Sequence, residues 1–352
     1  MRSRATCSRT RHDPARDAER VVSSLSENPA DLDRADALGE VVIRAEEYRN
    51  WGRWGADDAL GTLNFIDAAK RVEAARLVTE GRAVTLAQPF NEDGPQRGWK
   101  KRNNPVHTMT GTGLDHERNP DYNPHGIGGA DDMIVMPLQC STQWDGLGHI
   151  FDRGLAYNGR RAGDVVTTQG DRVTGIEHAA DVIISRGVLL DMGRFLRPES
   201  GELEDGYAIT AADLDACVRA QGDSARVGRG DIVLVRTGQL ARARRNGWGE
   251  YAGGPAPGLS LTTAGWLHRT EIAAIATDTW GFEVRPNEFD ESFQPLHQIV
   301  IPNMGLTVGE MWDLEELGAV CAASGRYEFL LSAAPLPITG AVGSPLNPIA
   351  LI

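Results

Sequence analysis

The sequence lacks several patterns that indicate a membrane, secreted or nucleotide-binding protein. No apolar run approaches the roughly 18 residues that are needed to span a bilayer. Only four of the 352 residues are cysteines, and no two form a CxxC pair, which excludes zinc-finger and disulfide-framework proteins. No GxGxxG follows a predicted strand, and the sequence GxxxxGK followed by Ser or Thr does not occur. We therefore expect no nucleotide cofactor.

Positive charge is also scarce. The chain has 36 Lys and Arg residues against 49 Asp and Glu residues, a formal net charge of −13. An acidic surface repels phosphate backbones, so nucleic acid is not expected as a partner. The N-terminus is rich in arginine but lacks the apolar core of a secretory signal. We expect a cytoplasmic protein without membrane contact, with a disordered extension over residues 1–38 and a single domain over residues 39–352.

Strand and helix patterns alternate along the second region. Asp231-Ile-Val-Leu-Val-Arg-Thr-Gly predicts a buried strand that ends in a turn. Thr210-Ala-Ala-Asp predicts a helix that begins with a capping box. The tail from Pro335 to Ile352 has no charged residue, so we expect it to pack against the domain. No repeat or linker-like break occurs, and we predict one α/β domain with a mixed β-sheet flanked by helices.

Chemistry-bearing residues are concentrated after one predicted strand. Met133-Ile-Val-Met-Pro-Leu leads into Gln139-Cys-Ser-Thr-Gln-Trp-Asp-Gly-Leu-Gly-His. In α/β enzymes, reacting groups lie where strands end. Asp145 and His149 can pair, with the carboxylate orienting the imidazole or sharing a metal ion with it. A hydrogen-bonded structural Asp–His pair is the alternative.

This segment resembles the signature H-x-G-T-H-x-D-x-P-x-H of the cyclase family, which includes kynurenine formamidase and isatin hydrolase. Aligned without gaps, Thr142, Asp145 and His149 match the signature. Gln139 and Gln143 stand where the family has its first two histidines, and the glycine and the proline are also replaced. The chain resembles the branch of the family that carries S-T-Q-W-D at this place.

The resemblance implies a metal site. In the family, the first two histidines and the aspartate bind zinc or manganese, and the last histidine acts in acid–base catalysis. One or two divalent ions, Zn or Mn, are therefore expected, with Asp145, Gln139 and Gln143 at ligand positions and His149 as the acid or base. A neutral amide oxygen is a weaker ligand for a transition metal than imidazole, so we expect low affinity.

A second part of the family pattern lies near the C-terminus. His297, followed by Gly305-Leu306 and then Glu310, resembles the family segment His…G-I…E. In zinc-dependent formamidases these two residues help to hold a second metal ion. The resemblance therefore implies that Asp145, His149, His297 and Glu310 converge on one pocket.

Further candidates would bind the substrate. Trp144 is a candidate for an aromatic pocket, with core packing as the alternative. His107 and His125 lie in a long polar segment, residues 91–132, and are candidates for a loop that closes over the site. A solvated or locally hydrogen-bonded ring is the alternative for both. The Gln143 amide is a candidate donor to a developing oxyanion.

The resemblance implies a hydrolase for a small substrate, in which activated water cleaves an amide, formamide or lactam C–N bond or a lactone C–O bond. One alternative is a metal-independent cyclase or dehydratase that uses Asp145 and His149. Another is a non-catalytic small-molecule-binding protein on the same fold. We expect the chain to form a homodimer or a homotetramer.

Overall fold

The computed structural model describes residues 25–118 and 125–352. The predicted extension, residues 1–38, therefore lies outside the described residues up to residue 24. From residue 25 on, it contains the 3-10 turn Pro29–Asp31 and then Leu32, which packs into the core. The packed structure thus begins before residue 39. None of the helices in the described ranges is long and apolar enough to cross a membrane.

Nine of the described strands form one mixed sheet, which confirms the predicted α/β fold with a mixed sheet. The strands, in chain order, are β1 (Ala83–Thr85), β2 (Val106–Gly111), β3 (Asp131–Val135), β4 (Gln143–Asp145), β5 (Leu155–Ala156), β6 (Arg160–Arg161), β7 (Val166–Thr167), β8 (Gly170–Asp171), β9 (Ile184–Asp191), β10 (Ala208–Ile209), β11 (Ile232–Arg236), β12 (Gly258–Leu259), β13 (Ala274–Thr277), β14 (Thr307–Glu310), β15 (Glu328–Ser332), β16 (Gly343–Pro345) and β17 (Ile349–Leu351). The order in the main sheet is β1-β17-β15-β9-β11-β13-β14-β4-β16. Strands β9, β11, β13 and β14 run parallel, and β4 joins β14 antiparallel.

Helices cover both faces of this sheet. They are α1 (Ala37–Glu47), α2 (Ala68–Ala75), α3 (Gly113–Arg118), α4 (Ala162–Val165), α5 (Met192–Leu196), α6 (Ala211–Gln221), α7 (Gln239–Asn246), α8 (Ala264–Arg269), α9 (Pro295–Ile299) and α10 (Glu315–Ser324). One core cluster includes residues of α6, α8 and α9, and the other includes residues of α10. The predicted capping box of α6 is present at Thr210 and Asp213.

The central strands are buried on both faces because their sequences are continuous apolar runs. In β11, Val233 and Val235 join one core cluster, and Ile232 and Leu234 join the other. The uncharged tail packs as predicted, since β16 and β17 pair with β4 and β15 of the main sheet.

The strand predicted to lead into the motif has a different role. Residues Asp131–Val135 form β3, which pairs with β2 in a hairpin outside the main sheet. Met133 and Val135 are 51% and 62% exposed, so the apolar pattern did not indicate a core strand. The motif itself provides the sheet strand, β4. The predicted strand is thus present from Met133 to Val135 but does not continue to Leu138, and apolarity did not reveal which partner this short strand would find.

Trp144 lies in the middle of β4 and points into the core, whereas its neighbours Gln143 and Asp145 point to the opposite face. Its indole Nε1 donates a hydrogen bond to the Ala333 carbonyl at 2.7 Å, and its ring meets Trp312 edge-on at 4.8 Å between centroids. The side chain is 0% exposed. The predicted place in a substrate pocket is therefore corrected to a place in the core.

Replacing Trp144 with Phe should destabilise the protein without changing the site. The substitution leaves the buried Ala333 carbonyl without its donor and reduces the packed volume, so we expect the free energy of unfolding to fall by about 1–3 kcal/mol. Chemical denaturation measures this. Trp248→Phe is the matched control, because Trp248 also donates to a carbonyl, that of Asp93, but near the surface, where water can replace it. Equal losses in the two variants would contradict the assignment.

Candidate active site

Two neighbouring strands and one helix bring the predicted residues together. In the β4–β14 pair, Gln143 stands opposite Glu310, and Asp145 lies two positions further along the same face. His297 lies on α9, and His149 follows β4 after a turn whose His149 N–H donates to the Gly146 carbonyl. Residues that are far apart in the sequence thus meet at one edge of the sheet.

The resulting cluster is compact and almost fully buried. Asp145, His297 and Glu310 each offer a ligand atom, and these atoms lie within 4.8 Å of one another. Their exposed fractions are 1%, 1% and 2%. The His149 Nε2 lies 3.7 Å from Asp145 Oδ1, and 18% of the His149 side chain is exposed. The expected convergence of these four side chains is present, and His149 is the member that solvent reaches.

His297 is held between two carboxylates. Its Nδ1 faces Glu283, whose carboxylate also accepts the backbone N–H groups of Leu296 and His297 at 3.1 and 3.0 Å. Its Nε2 lies 3.0 Å from Glu310 Oε1. Burial alone would lower the pKa of His297, but the hydrogen bonds to Glu283 and Glu310 outweigh it and raise the pKa to about 9. Without a metal ion, the ring is an imidazolium at neutral pH.

The Gln143 amide bridges the two site carboxylates. Its Nε2 donates to Asp145 Oδ1 and to Glu310 Oε2, both at 3.1 Å. An amide nitrogen has two N–H groups, and both are used here. The predicted oxyanion role of Gln143 is therefore corrected, since no donor remains for a substrate oxygen. The amide Oε1 is buried and accepts no hydrogen bond from the described residues.

Burial shifts the pKa of both members of the Asp145–His149 pair. It raises the pKa of Asp145, and the nearby negative charge of Glu310 adds to the rise, while the two imidazoles act in the opposite direction. It lowers the pKa of His149 below the ordinary value despite the attraction of Asp145, and the positive charge of Arg102 lowers it further. His149 is therefore a neutral imidazole at neutral pH, able to accept a proton.

The donor set fits a divalent cation. Two carboxylates and an imidazole are common ligands of zinc and manganese, and the buried Gln143 Oε1 is a further oxygen without a partner. Glu283 would fix the tautomer of His297, since a carboxylate on the remote ring nitrogen is the usual support of a metal-bound histidine. Asp145, His297 and Glu310 would hold the ion. Gln143, which the resemblance placed at a ligand position, faces them with its Nε2, so its Oε1 would join the ligands only after the amide turns over.

Other predicted site residues lie elsewhere. Gln139 makes no hydrogen bond to this cluster in the described part of the chain. Its buried Nε2 lies close to Gly343, since a β-carbon added to Gly343 would be only 2.7 Å from it. His107 is on the exposed hairpin, and its Nε2 lies 2.8 Å from Asp132 Oδ2. This is the locally hydrogen-bonded ring that the sequence analysis gave as the alternative to a substrate-binding role. His125 is exposed. Neither histidine contacts the cluster, because this hairpin stands outside the main sheet.

Sequence reasoning missed Glu283, which holds His297. Its only sequence signal is a lone charged residue between the apolar Phe282 and Val284, in a stretch that is otherwise suited to the core. Charged residues are seldom fully buried unless they are paired, so such a position indicates a partner but not its identity.

Comparisons with known proteins identify the family of this chain. Residues 84–284 match the family model described as a putative cyclase. A crystal structure described as a novel cyclase is 39% identical, covers 88% of this chain and 99% of its own, and superposes with a TM-score of 0.80.

More distant solved structures share the fold. Isatin hydrolase A from Ralstonia solanacearum is 17% identical, with 77% of this chain and 92% of that chain covered and a TM-score of 0.55. An isatin hydrolase bound to the product analogue thioisatinate is also 17% identical, with 81% and 99% covered and a TM-score of 0.54. No sequence among the curated proteins matches significantly. The family model and the 39% identical structure together show that the chain belongs to the cyclase family.

Proposed function

We propose that this protein is a hydrolase that cleaves an amide, formamide or lactam C–N bond, or a lactone C–O bond, in a small molecule. The observation that carries the proposal is the arrangement of a neutral, partly exposed His149 beside the buried cluster of Asp145, His297 and Glu310. A base in contact with solvent, next to a set of cation ligands, is what attack by water on a carbonyl requires.

His149 takes the proton in this reaction. Its imidazole is neutral because its pKa is lowered, so Nε2 can accept a proton from water as the water attacks. Asp145 Oδ1, 3.7 Å from Nε2, stabilises the imidazolium that forms. The same imidazolium can then protonate the leaving nitrogen or oxygen.

A divalent ion bound by Asp145, His297 and Glu310 would supply Lewis-acid activation of water or of the carbonyl group. The side chains of the protein contribute the rest. Glu283 keeps the His297 ring in place, and burial of the carboxylates keeps solvent away from all but the His149 end of the cluster.

One observation favours a second candidate, a metal-independent cyclase or dehydratase. The two site carboxylates are already compensated, since the protonated His297 ring faces Glu310 and the Gln143 amide donates to both. Asp145 and His149 could then carry acid–base chemistry alone. A non-catalytic binding protein is less well supported, because the His149 side chain reaches solvent instead of being sealed in the core. The homodimer or homotetramer stays a prediction.

Replacing His149 with Ala should abolish most activity and leave the fold intact. We expect kcat for hydrolysis in a panel of formamides, lactams and lactones to fall about 10²–10⁴-fold, the usual size of a lost acid–base contribution. His149→Asn should cost a similar factor, because an amide cannot accept a proton at neutral pH. Kinetics and thermal melting are measured on the same preparations.

His107→Ala is the matched control, because His107 also faces a carboxylate but lies on the exposed hairpin. Its kcat should equal that of the wild type. A folded His149→Ala protein with wild-type kcat would remove His149 from the mechanism. A wild-type protein that hydrolyses no member of the panel would contradict the hydrolase proposal itself.

Metal affinity should be low and should respond to one substitution. We expect zinc to be removed by dialysis against a chelator, since an amide oxygen binds zinc less strongly than an imidazole nitrogen. Gln143→His should raise zinc affinity, because this side chain lies between Asp145 and Glu310. Calorimetric titration with zinc measures the change. Gln169→His, at an exposed position, is the control and should have no effect. Stoichiometric zinc that survives dialysis in the wild type would contradict the prediction.

A further inference from the structure

One border of the cluster carries positive charge and aromatic rings. Apart from the effect of Arg102 on the pKa of His149, the mechanism above uses none of it. We call this border the cationic rim. It consists of Trp99, Lys100, Arg102, Trp280, Arg285 and Phe293. Its residues come from the polar segment after β1 and from the segment between β13 and α9. The sequence did not indicate that they would meet.

The rim adjoins the cluster directly. Trp280 precedes Gly281, and a β-carbon on Gly281 would lie 3.8 Å from Glu310 Oε1. Phe293 precedes Gln294, whose Nε2 lies 3.2 Å from His297 Nε2. Any small molecule whose reacting bond lies at the cluster therefore has the rim within its reach.

Within the rim, the cations lie against the ring faces. The ring centroids of Trp99 and Trp280 are 4.8 Å apart, and those of Trp99 and Phe293 are 5.4 Å apart. Lys100 Nζ lies 4.3 Å from the Phe293 centroid, and the Arg285 guanidinium carbon lies 4.7 Å from it. The Arg102 guanidinium carbon lies 5.4 Å from the Trp280 centroid. Trp99 and Phe293 are 39% and 40% exposed, so ring surface is available to a ligand.

In the described part of the chain, these three cations contact rings but form no ion pair. Among the described residues, no carboxylate oxygen lies within ion-pair distance of Lys100, Arg102 or Arg285, although the whole chain carries a net charge of −13. Arg285 Nη1 and Trp280 Nε1 are buried, and neither finds an acceptor in the described ranges. Buried donors without acceptors are costly, so their presence points to an acceptor that a ligand supplies.

We propose that the cationic rim binds the carboxylate of an aromatic acid, so that the substrate of the proposed hydrolase carries a carboxylate in addition to the bond that is cleaved. The Arg285 fork and the Trp280 N–H offer donors to the two oxygens, and Lys100 adds charge. The exposed parts of the Trp99 and Phe293 rings contact the ring of the ligand. That the bound acid is a substrate rests on the proposed function. Binding of the acid at the rim does not require that it is turned over.

The electrostatics are consistent with this assignment. Partial burial and the charges of Arg102 and Arg285 lower the pKa of Lys100, while Glu310 and Asp145 act in the opposite direction. The three cations therefore repel one another when no ligand is bound. An anion among them would relieve that repulsion, whereas a neutral ligand of the same shape would not.

Binding of benzoate and of benzamide, followed by quenching of tryptophan fluorescence, tests the proposal. The two probes have nearly the same shape but differ in charge, and Trp99 and Trp280 report on binding. Each titration is performed with and without a chelator, which shows whether a metal ion holds the carboxylate. The variants are Arg285→Gln and Lys100→Gln. Arg197→Gln is the control, because Arg197 also lies over a ring, that of Tyr207, but its partner is Glu204.

We expect the wild type to bind benzoate at least about tenfold more tightly than benzamide, with or without chelator. Each rim variant should weaken benzoate binding about 10- to 100-fold, the range for a hydrogen bond to a charged group. The control variant should bind as the wild type does. If Arg285→Gln does not fold, the affinity of Lys100→Gln for benzoate tests the proposal, because Lys100 is exposed and its replacement should leave the fold intact.

Equal affinity for the two probes, benzoate binding that chelator abolishes, or unchanged binding in the folded rim variants would overturn the proposal. Benzoate binding without hydrolysis of any amide or lactone would leave the rim in place and contradict the hydrolase proposal instead. Hydrolysis of the panel without a preference for benzoate over benzamide would support the hydrolase proposal and contradict the carboxylate-binding rim.

Discussion

The structure of this site depends on keeping two carboxylates, those of Asp145 and Glu310, side by side in a dry environment. Like charges at this separation repel strongly when water is excluded. The Gln143 amide donates to both, and the His297 imidazolium faces Glu310, while Glu283 in turn fixes His297. The contacts of Gln143 and His297 with the two carboxylates compensate charge, and a divalent cation bound by Asp145, Glu310 and His297 would take over that role, while Glu283 would keep its contact with His297.

This constraint explains why the site stands where it does. Opposed strands place Gln143 against Glu310, and the two-residue period of β4 sends Trp144 to the other face, where it anchors the strand in the core. Close packing of that anchor requires Gly309 opposite it, since a β-carbon there would lie 2.8 Å from the Trp144 ring. One face of β4 thus packs Trp144 into the apolar core, and the opposite face presents Gln143 and Asp145 to the site.

The sequence predicted the sheet class and the members of the cluster, but not the details between them. Apolar runs such as that of β11 identify buried strands without knowledge of their neighbours, and the family pattern located His297 and Glu310. The orientation of the Gln143 amide, the burial of Trp144 and the pairing of Glu283 with His297 depend on contacts between residues far apart in the chain. The strand predicted before the motif is present as β3, but its place outside the main sheet could not be predicted, because it depends on pairing with β2.

In the proposed hydrolase, the buried carboxylates serve chemistry and not only stability. The most direct test compares the rate of hydrolysis of the formamide, lactam and lactone panel by Glu310→Gln with that by Glu316→Gln, whose glutamate is 59% exposed on α10. The account predicts that Glu310→Gln loses at least about a hundredfold in kcat, as expected for a lost transition-state interaction, while Glu316→Gln keeps the wild-type rate. Equal rates in the two folded variants would contradict it.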